Sequence, residues 1–402
     1  MTVRIFYEDA YRTGFTAQVV ERREFEDRHA VRLNRSAFYP TSGGQPHDIG
    51  HLNDTAVVDV QAGTDGAVFH LLAEPLPEET TGVVGVVDWT RRYDLMQQHS
   101  GQHLLSQVFY RRQGQETVGV HFGEGLNTVD LEGDRLTEES LAAAEVGVNE
   151  LIWQNRPVRA YWVMEAELGT VPLRRAPKVG GRVRIVEIDK FDWSACGGTH
   201  VRRTGEIGLI SLLRAERHRG RSRVHFVCGR RALADAAGRR GLLAETAVLL
   251  DSSVQDVPAL VAKQQESLRA AEKESDALRE ALARYEAREL LEVAESAGGL
   301  RLAAKVLDDA RPADLQRLAR ALVAVEGVVA LLGCAQGEKG TVVLARSGDL
   351  TLHAGNLLRD TLKQYDGGGG GGPEFAQGGT AADRLADVLN AVKEAVRRGA
   401  GS

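Results

Sequence analysis

His99 and His103 in QQHSGQHLLSQVF, and Cys196 and His200 in SACGGTHVRRTGEIG, are two tight pairs of nitrogen and sulfur ligands about a hundred residues apart. Imidazole nitrogen and thiolate sulfur are the donors zinc prefers, and four of them complete a tetrahedral shell. Alone, a histidine is usually a surface or core residue, and a cysteine is usually a small buried hydrophobe. Two pairs of this spacing raise the metal reading above that background. The ligand set fits a closed structural zinc as well as a catalytic one.

Each pair needs its own support. Histidines four apart on a helix share a face because a turn takes about 3.6 residues. Leu104, Leu105 and Val108 continue with the apolar spacing of a helix whose other side is buried. Gly197 and Gly198 disfavour a helix between Cys196 and His200, so the second pair reads as a loop folded toward a shared point.

Downstream of the second pair, positive charge concentrates. Between Val201 and Arg240 the acids are Glu206, Glu216 and Asp235, against a run of arginines that includes Arg202, Arg203, Arg217, Arg219 and Arg221. Guanidinium forks match phosphate oxygens, which suits an RNA partner beside the metal pair; the bland alternative is a solvated face with counterions. The whole chain carries a formal charge of −6, which argues against a protein that coats nucleic acid over its entire surface.

At 402 residues the chain calls for two to four domains. No stretch has the length and apolarity of a membrane span, and MTVRIFYEDAYRTG lacks a signal core, so a cytoplasmic protein without membrane attachment is expected. Cys196, Cys228 and Cys334 are too few and scattered for a disulfide framework, in keeping with a reducing compartment.

Organisation follows from changes of period. Short alternating runs such as HAVRLNRSAFY and TAVVDVQAG, broken by Gly and Asp, predict a small β-barrel over 1–88. Residues 89–231 mix helix and strand, including a helix capped at Thr137, and predict an α+β domain. A helical segment over 232–298 carries Val257, Val261, Leu268, Ala271, Leu278, Leu282 and Tyr285 at the spacing of a coiled-coil seam, interrupted by Gln264 and Ser275. Such a seam suits an intramolecular hairpin or a homodimer. From 299 to 402 strand and helix alternate, with parallel-sheet character in VVALLGCA and TVVLAR, predicting an α/β domain. Its run Gly367 to Gly372 reads by composition as a linker, or as a glycine loop that opens a helix and contacts phosphate. The fold class is thus α+β and multidomain.

HSGQH, followed by CGGTHV and TGEIG, resembles the metal-binding signature of alanyl-tRNA editing domains, found in alanyl-tRNA synthetases and in free-standing editing proteins. FYPTSGGQPHDIG, Phe38 to Gly50, is similar to the glycine-turn motif of the small barrel that precedes that domain. DGGGGGGPEFAQGG, Asp366 to Gly379, is similar to the glycine-rich signature of the synthetase C-terminal domain. The four motifs occur in the family's order and span nearly the whole chain. An aminoacylation domain ahead of the barrel is not expected, because the barrel motif arrives within about forty residues of Met1; the resemblance is to the long form of the free-standing editing proteins.

The resemblance implies hydrolysis of the ester on mischarged tRNA(Ala), with serine the expected error and glycine a second. It implies Zn2+ held by His99, His103, Cys196 and His200, and it places Thr41, Ser42, Gly43, Gly44 and Gln45 near the substrate. Thr117 and His121 are the candidates for recognising the serine hydroxyl, with Gln102 a further candidate from the histidine helix. Arg202, Arg203, Arg217, Arg219, Arg221, Gly369, Gly370 and Gly371 are the candidate tRNA contacts, within an expected C-terminal tRNA-binding domain. The rivals are a noncatalytic tRNA-binding or dimerisation module with a structural zinc, a hydrolase for another misacylated tRNA, and a thiolate nucleophile at Cys196.

Overall fold

The computed structural model describes residues 1–25, 28–63, 65–133, 136–176, 181–308 and 310–400. Its central element is the helix Trp89–Gln113. The Asp88 side chain accepts from the Arg91 backbone N–H at 3.1 Å to begin it, a cap worth about 0.5–2 kcal/mol. Gly114 ends it at φ 65°, the left-handed conformation a helix terminus commonly takes. More than one face is covered. The sequence predicts burial on one side, whereas every residue from Leu95 to Phe109 is buried, because the helix is surrounded by sheet, barrel and a second helix. Its polar residues are therefore tied down individually. Gln98 accepts from the Cys228 backbone N–H at 2.8 Å and donates to the Cys228 carbonyl at 3.0 Å.

Around that helix lie two sheets. One has the order Ile210–His218, Arg221–Cys228, Asn127–Leu131, Thr117–Phe122; the other is Val158–Met164, Arg182–Ile188, Asp192–Ala195. Both pair antiparallel. The helix Glu138–Trp153 is capped by Thr137 and Ser140 reciprocally.

Ahead of them Gly14–Phe25, Arg28–Leu33, Val68–Leu72, Thr55–Ala62, Gly50–Leu52 and Gly82–Val87 close a six-stranded barrel. Period-2 alternation sends Phe15 and Ala17, and Val83 and Val87, into its core. Barrel and helix are joined by a buried ion pair: Arg92 and Asp48, both fully buried, share several hydrogen bonds. Arg92 also donates to the carbonyls of Ala10 at 2.7 Å and Ala37 at 2.6 Å. A buried charge with every guanidinium nitrogen engaged is tolerated, and removing one partner leaves the other stranded.

The chain divides into two compact units, Met1–Thr246 and Ala247–Ser402, with the division inside the helix Gly229–Leu249. In the second unit a six-stranded sheet has the order Glu295–Ala297, Leu300–Leu307, Val328–Gln336, Lys339–Arg346, Phe375–Ala381, Gly368–Gly371. Side chains alternate between its faces: Val329, Leu331, Val342 and Leu344 pack with the helices Ala354–Leu362 and Leu385–Ala400, while Ala330, Leu332 and Val343 pack with Pro312–Val323. VVALLGCA pairs parallel with Leu300–Leu307 as expected, but TVVLAR pairs antiparallel with it, since a two-residue turn and not a crossover joins them.

The glycine run also differs from the expected loop. Gly368–Gly371 is an exposed edge strand paired with Phe375–Ala381, and no helix starts from it. Its end instead meets a helix start: the Ala354 and Gly355 N–H groups donate to the carbonyls of Pro373 and Gly372. Those backbone donors are thus already engaged. The coiled-coil seam lies on a single helix, Val257–Glu292, with Val257 buried and Leu268, Leu278, Leu282 and Tyr285 exposed.

Asp48→Ala is expected to lower the stability of the first unit by about 3–5 kcal/mol, the cost of a stranded buried cation, read from urea unfolding followed by tryptophan fluorescence.

Candidate metal centre

Ligand atoms of His99, His103, Cys196 and His200 all lie within 4.8 Å of one another. Cys196 Sγ is 3.4 Å from His99 Nε2 and 3.3 Å from His200 Nε2. A tetrahedral zinc with bonds of about 2.0–2.3 Å separates its nitrogen and sulfur ligands by roughly 3.5 Å, so these separations suit the ion.

The fourth approach depends on one glycine. Cys196 follows the strand Asp192–Ala195, and the chain then folds back over the histidine helix. A Cβ on Gly198 would lie 2.2 Å from His99 Cε1 and 2.8 Å from Gln45 Oε1, so only glycine lets the loop come this close. Gly101, between the two histidines, is constrained likewise: its Cβ would lie 2.3 Å from Cys228 Sγ.

Two imidazoles are hydrogen-bonded from behind, and the third faces a carboxylate. Gln45 donates to Thr199 Oγ1 at 2.8 Å and accepts from the Thr199 N–H at 3.0 Å, which orients its amide. Its Oε1, 2.8 Å from His99 Nδ1, must therefore accept, leaving His99 Nε2 bare for a ligand bond. His200 Nδ1 lies 3.1 Å from Ser100 Oγ, and His103 Nδ1 lies 3.4 Å from Asp192 Oδ2. Asp192 is placed by Phe191, whose carbonyl accepts from Gln107 at 2.9 Å and Arg111 at 2.6 Å. Three far nitrogens, each facing an oxygen, are what a metal-bound histidine set requires.

Without metal the cluster divides its protons. Burial alone would raise the Cys196 thiol, yet His99 and His200, with hydrogen bonds from His103 and His200, hold it well below its ordinary value. Burial pulls His103 down, but Asp192 and Cys196 outweigh it and take the imidazole to about 9. His200, buried beside His99, falls to about 3. Without metal these shifts favour a thiolate at Cys196 and a proton on His103.

Beside the cluster opens a cavity of about 610 Å3, within the range of small-ligand sites. His99, His103 and Cys196 line it, with Gln102, Thr117 and Gly43. Thr117 reaches it through a bulge: the register with Asn127–Leu131 shifts after Gly119, turning Thr117 to the face of Val120. Thr117 Oγ1 and Gln102 Nε2 both donate to Ser106 Oγ at 2.7 Å, so the Gln102 carbonyl oxygen remains an acceptor. His121 is exposed on the opposite face of that strand and is not brought to the cavity. Gln45 and Gly43 of the glycine turn reach the site, whereas Thr41 bonds His47 instead.

Of the arginine run, Arg202 stacks on Tyr11 at 4.0 Å and pairs with Asp9 at 3.1 Å, and Arg203 is exposed nearby in sequence. Arg217, Arg219 and Arg221 are exposed at a hairpin tip, where Arg219 and Gly220 both have positive φ. Arg223 and Arg231 are structural, paired with Asp130 and Asp94 at 2.6 Å. Sequence reading did not find Tyr7, Trp162, Arg174, Arg182 or Arg184, which line the cavity from four separate segments.

Residues 183–225 match the family model of the threonyl and alanyl tRNA synthetase second additional domain, and residues 299–398 match that of the DHHA1 domain. Alanyl-tRNA editing protein AlaX-L of Pyrococcus horikoshii is 30% identical over 94% of this chain and 94% of its own. The chain belongs to the alanyl-tRNA editing protein family. Alanine–tRNA ligases of Methanosarcina mazei and Archaeoglobus fulgidus are 31% and 33% identical over 99% and 94% of this chain, which spans 44% and 42% of their length. A crystal structure of the C-Ala domain from Aquifex aeolicus alanyl-tRNA synthetase, 28% identical, has a TM-score of 0.25 and covers 26% of this chain and 97% of that one. In this member of the editing family, Cys196 and His200 fall within the segment matched to the second additional domain. Among the described residues no helix is long and apolar enough to cross a membrane.

Asp192→Asn is expected to weaken metal binding about 10–100-fold, measured by chelator competition, because the amide no longer fixes the His103 tautomer. Because His103 is pushed up to about 9, zinc uptake near neutral pH should release the proton it carries. Calorimetry in buffers of different ionisation enthalpy should show that release fading as pH rises through about 9.

Proposed function

We propose that the protein is a trans-editing hydrolase that removes serine, and glycine as a second substrate, from mischarged tRNA(Ala). The observation that carries this reading is a buried four-ligand cluster whose imidazoles face oxygens from behind and whose open side faces a cavity large enough for an aminoacylated ribose. We assign the metal as Zn2+, held by His99, His103, Cys196 and His200; when bound it supplies a Lewis acid beside the ester.

The chain's own residues would do the selecting. Thr117 and Gln102 place hydroxyl and amide oxygen on the cavity wall, where a serine hydroxyl can donate to them. An alanine methyl offers no such donor, and a site built around a substrate hydroxyl discriminates strongly against its absence. That difference would spare correctly charged alanyl-tRNA; glycine lacks the hydroxyl too, so its place as a second substrate rests on the family resemblance and not on Thr117 and Gln102. Four protein ligands leave the metal to expand its coordination, to lose a ligand, or to recognise the substrate amino group.

The domain boundaries are 1–88, 89–231, 232–298 and 299–402. Arg202, Arg203 and the hairpin tip Arg217, Arg219 and Arg221 would meet the RNA backbone, as would the exposed edge strand holding Gly369, Gly370 and Gly371. The exposed seam of Val257–Glu292 offers a homodimer contact. A cytoplasmic location fits a tRNA substrate. The noncatalytic reading, tRNA binding with a purely structural zinc, predicts binding without hydrolysis.

Serine release from serine charged to tRNA(Ala) is the test. The intact protein should accelerate it, and His103→Ala should reduce the rate by roughly a hundredfold or more at matched zinc. Tight tRNA binding with no release by the intact protein would install the noncatalytic reading, and equal release from serine charged to tRNA(Thr) would assign a different substrate.

A further inference from the structure

The glycine turn that delivers Gln45 to His99 is the tip of an arm, residues 39–48, that reaches out from the barrel. Gly43 and Gly44, with φ of 58° and 87°, make the turn, and Ser42 and Gln45 close it with reciprocal backbone hydrogen bonds of 3.1 and 3.0 Å. Two consecutive positive φ angles suit a tight hairpin turn, which is why glycine fills both places. The root of the arm is equally fixed. The Asp48 N–H donates to the Tyr39 carbonyl at 3.0 Å, and the Asp48 carboxylate accepts from the Tyr39 N–H at 2.6 Å while pairing with Arg92.

Between tip and root the arm is held by side chains. Pro46 has no N–H to give to a ladder, and the next N–H, that of His47, goes to Thr41 Oγ1 at 3.2 Å. His47 is gripped from both sides. Arg91 of the histidine helix donates to its carbonyl at 3.0 Å, and its Nδ1 lies 3.0 Å from Asp59 Oδ1 on the barrel strand Thr55–Ala62. A ring nitrogen that faces a carboxylate carries the proton, so Nδ1 donates. Asp59 stands where the register with Val68–Leu72 shifts, and such a bulge re-aims a side chain. Gln61 Nε2 donates to its other oxygen at 3.0 Å, which orients the carboxylate. With side chains 25% and 22% exposed, the His47–Asp59 pair is screened less than a surface pair.

We propose that His47 and Asp59 are positioning residues for the metal site, a brace that keeps Gln45 against His99, an inference that rests on the zinc assignment. Neither residue is among the four ligands. The brace acts through the arm: Gln45 Oε1 must stay within hydrogen-bond reach of His99 Nδ1 for His99 Nε2 to be left bare toward the metal. Without the His47 imidazole the middle of the arm keeps its backbone bond from Thr41 to Val60 but loses the tie to Asp59. Gln45 then spends part of its time away from His99, and the metal is held less tightly.

The experiment is a double-mutant cycle on the full chain, with zinc affinity read by chelator competition. Gln45→Ala should weaken zinc about tenfold or more, and His47→Ala about three- to tenfold. Combined, they should weaken it no more than Gln45→Ala alone, because a brace has nothing to position once the amide is gone. His47→Asn, whose amide N–H falls near the place of Nδ1, should recover most of the affinity. His51→Ala, which removes an exposed histidine from the same barrel, should bind zinc as the unaltered protein does. Unchanged affinity in His47→Ala overturns the brace. So does a loss of equal size in the Gln45→Ala background, which marks general loosening of the fold. An unaltered protein that retains no zinc refutes the zinc assignment and the brace together, whereas either of the other two failures removes the brace and leaves the assignment standing.

Discussion

The approach of a glycine-containing loop to the face of a buried helix is the contact on which the site depends. Gly198 lies against the His99 ring at a distance that excludes any side chain, and this closeness brings Cys196 and His200 to the nitrogens of His99 and His103. A methyl group there would hold the loop away and spread the four ligands beyond one ion's reach. Everything around the contact fixes one or the other partner. Gln98 ties the helix to the Cys228 strand, Arg92 ties it to the barrel through Asp48, and Arg184 holds the loop carbonyls at Cys196 and Gly198.

The barrel has a chemical as well as a structural part in this arrangement. Its glycine turn delivers Gln45 to the back of His99, and the same amide reaches Thr199 within the loop. One side chain thus links three segments that are distant in sequence. The site divides into a buried inner side, where Gln45, Ser100 and Asp192 set the imidazoles, and an open outer side, where arginines and a half-exposed indole face the cavity. On the proposed reading ligand geometry belongs to the first side and substrate choice to the second, so substitutions on the two should separate metal affinity from selectivity.

The ligands were legible because their spacing is local. An interval of four on a helix and a Cys-Gly-Gly-Thr-His loop each carry their geometry in a few adjacent residues. The barrel was legible for the same reason, through period-2 alternation and turn residues. Partners that act across long separations were not: Asp192 behind His103 and Arg184 beside Cys196 stand in ordinary strand sequences whose roles arise from packing. His121 was named with Thr117 because the resemblance sets both on the family's pocket strand, and a bulge that no local residue pattern announces puts the two on opposite faces. The glycine run misled differently. Its composition suits a loop, but the strand packs one face against its partner and helix Ala354–Leu362: a Cβ on Gly369 would lie 2.5 Å from Gly378 Cα and 2.8 Å from Leu362 Cδ1, whereas Gly368 and Gly370 face open space.

The most direct measurement is zinc K-edge X-ray absorption on the purified protein. Three nitrogen neighbours at about 2.0–2.1 Å and one sulfur at about 2.3 Å, with the sulfur lost in Cys196→Ser, are what the geometry predicts. A shell of oxygen neighbours without sulfur, or no zinc retained after dialysis, would contradict it.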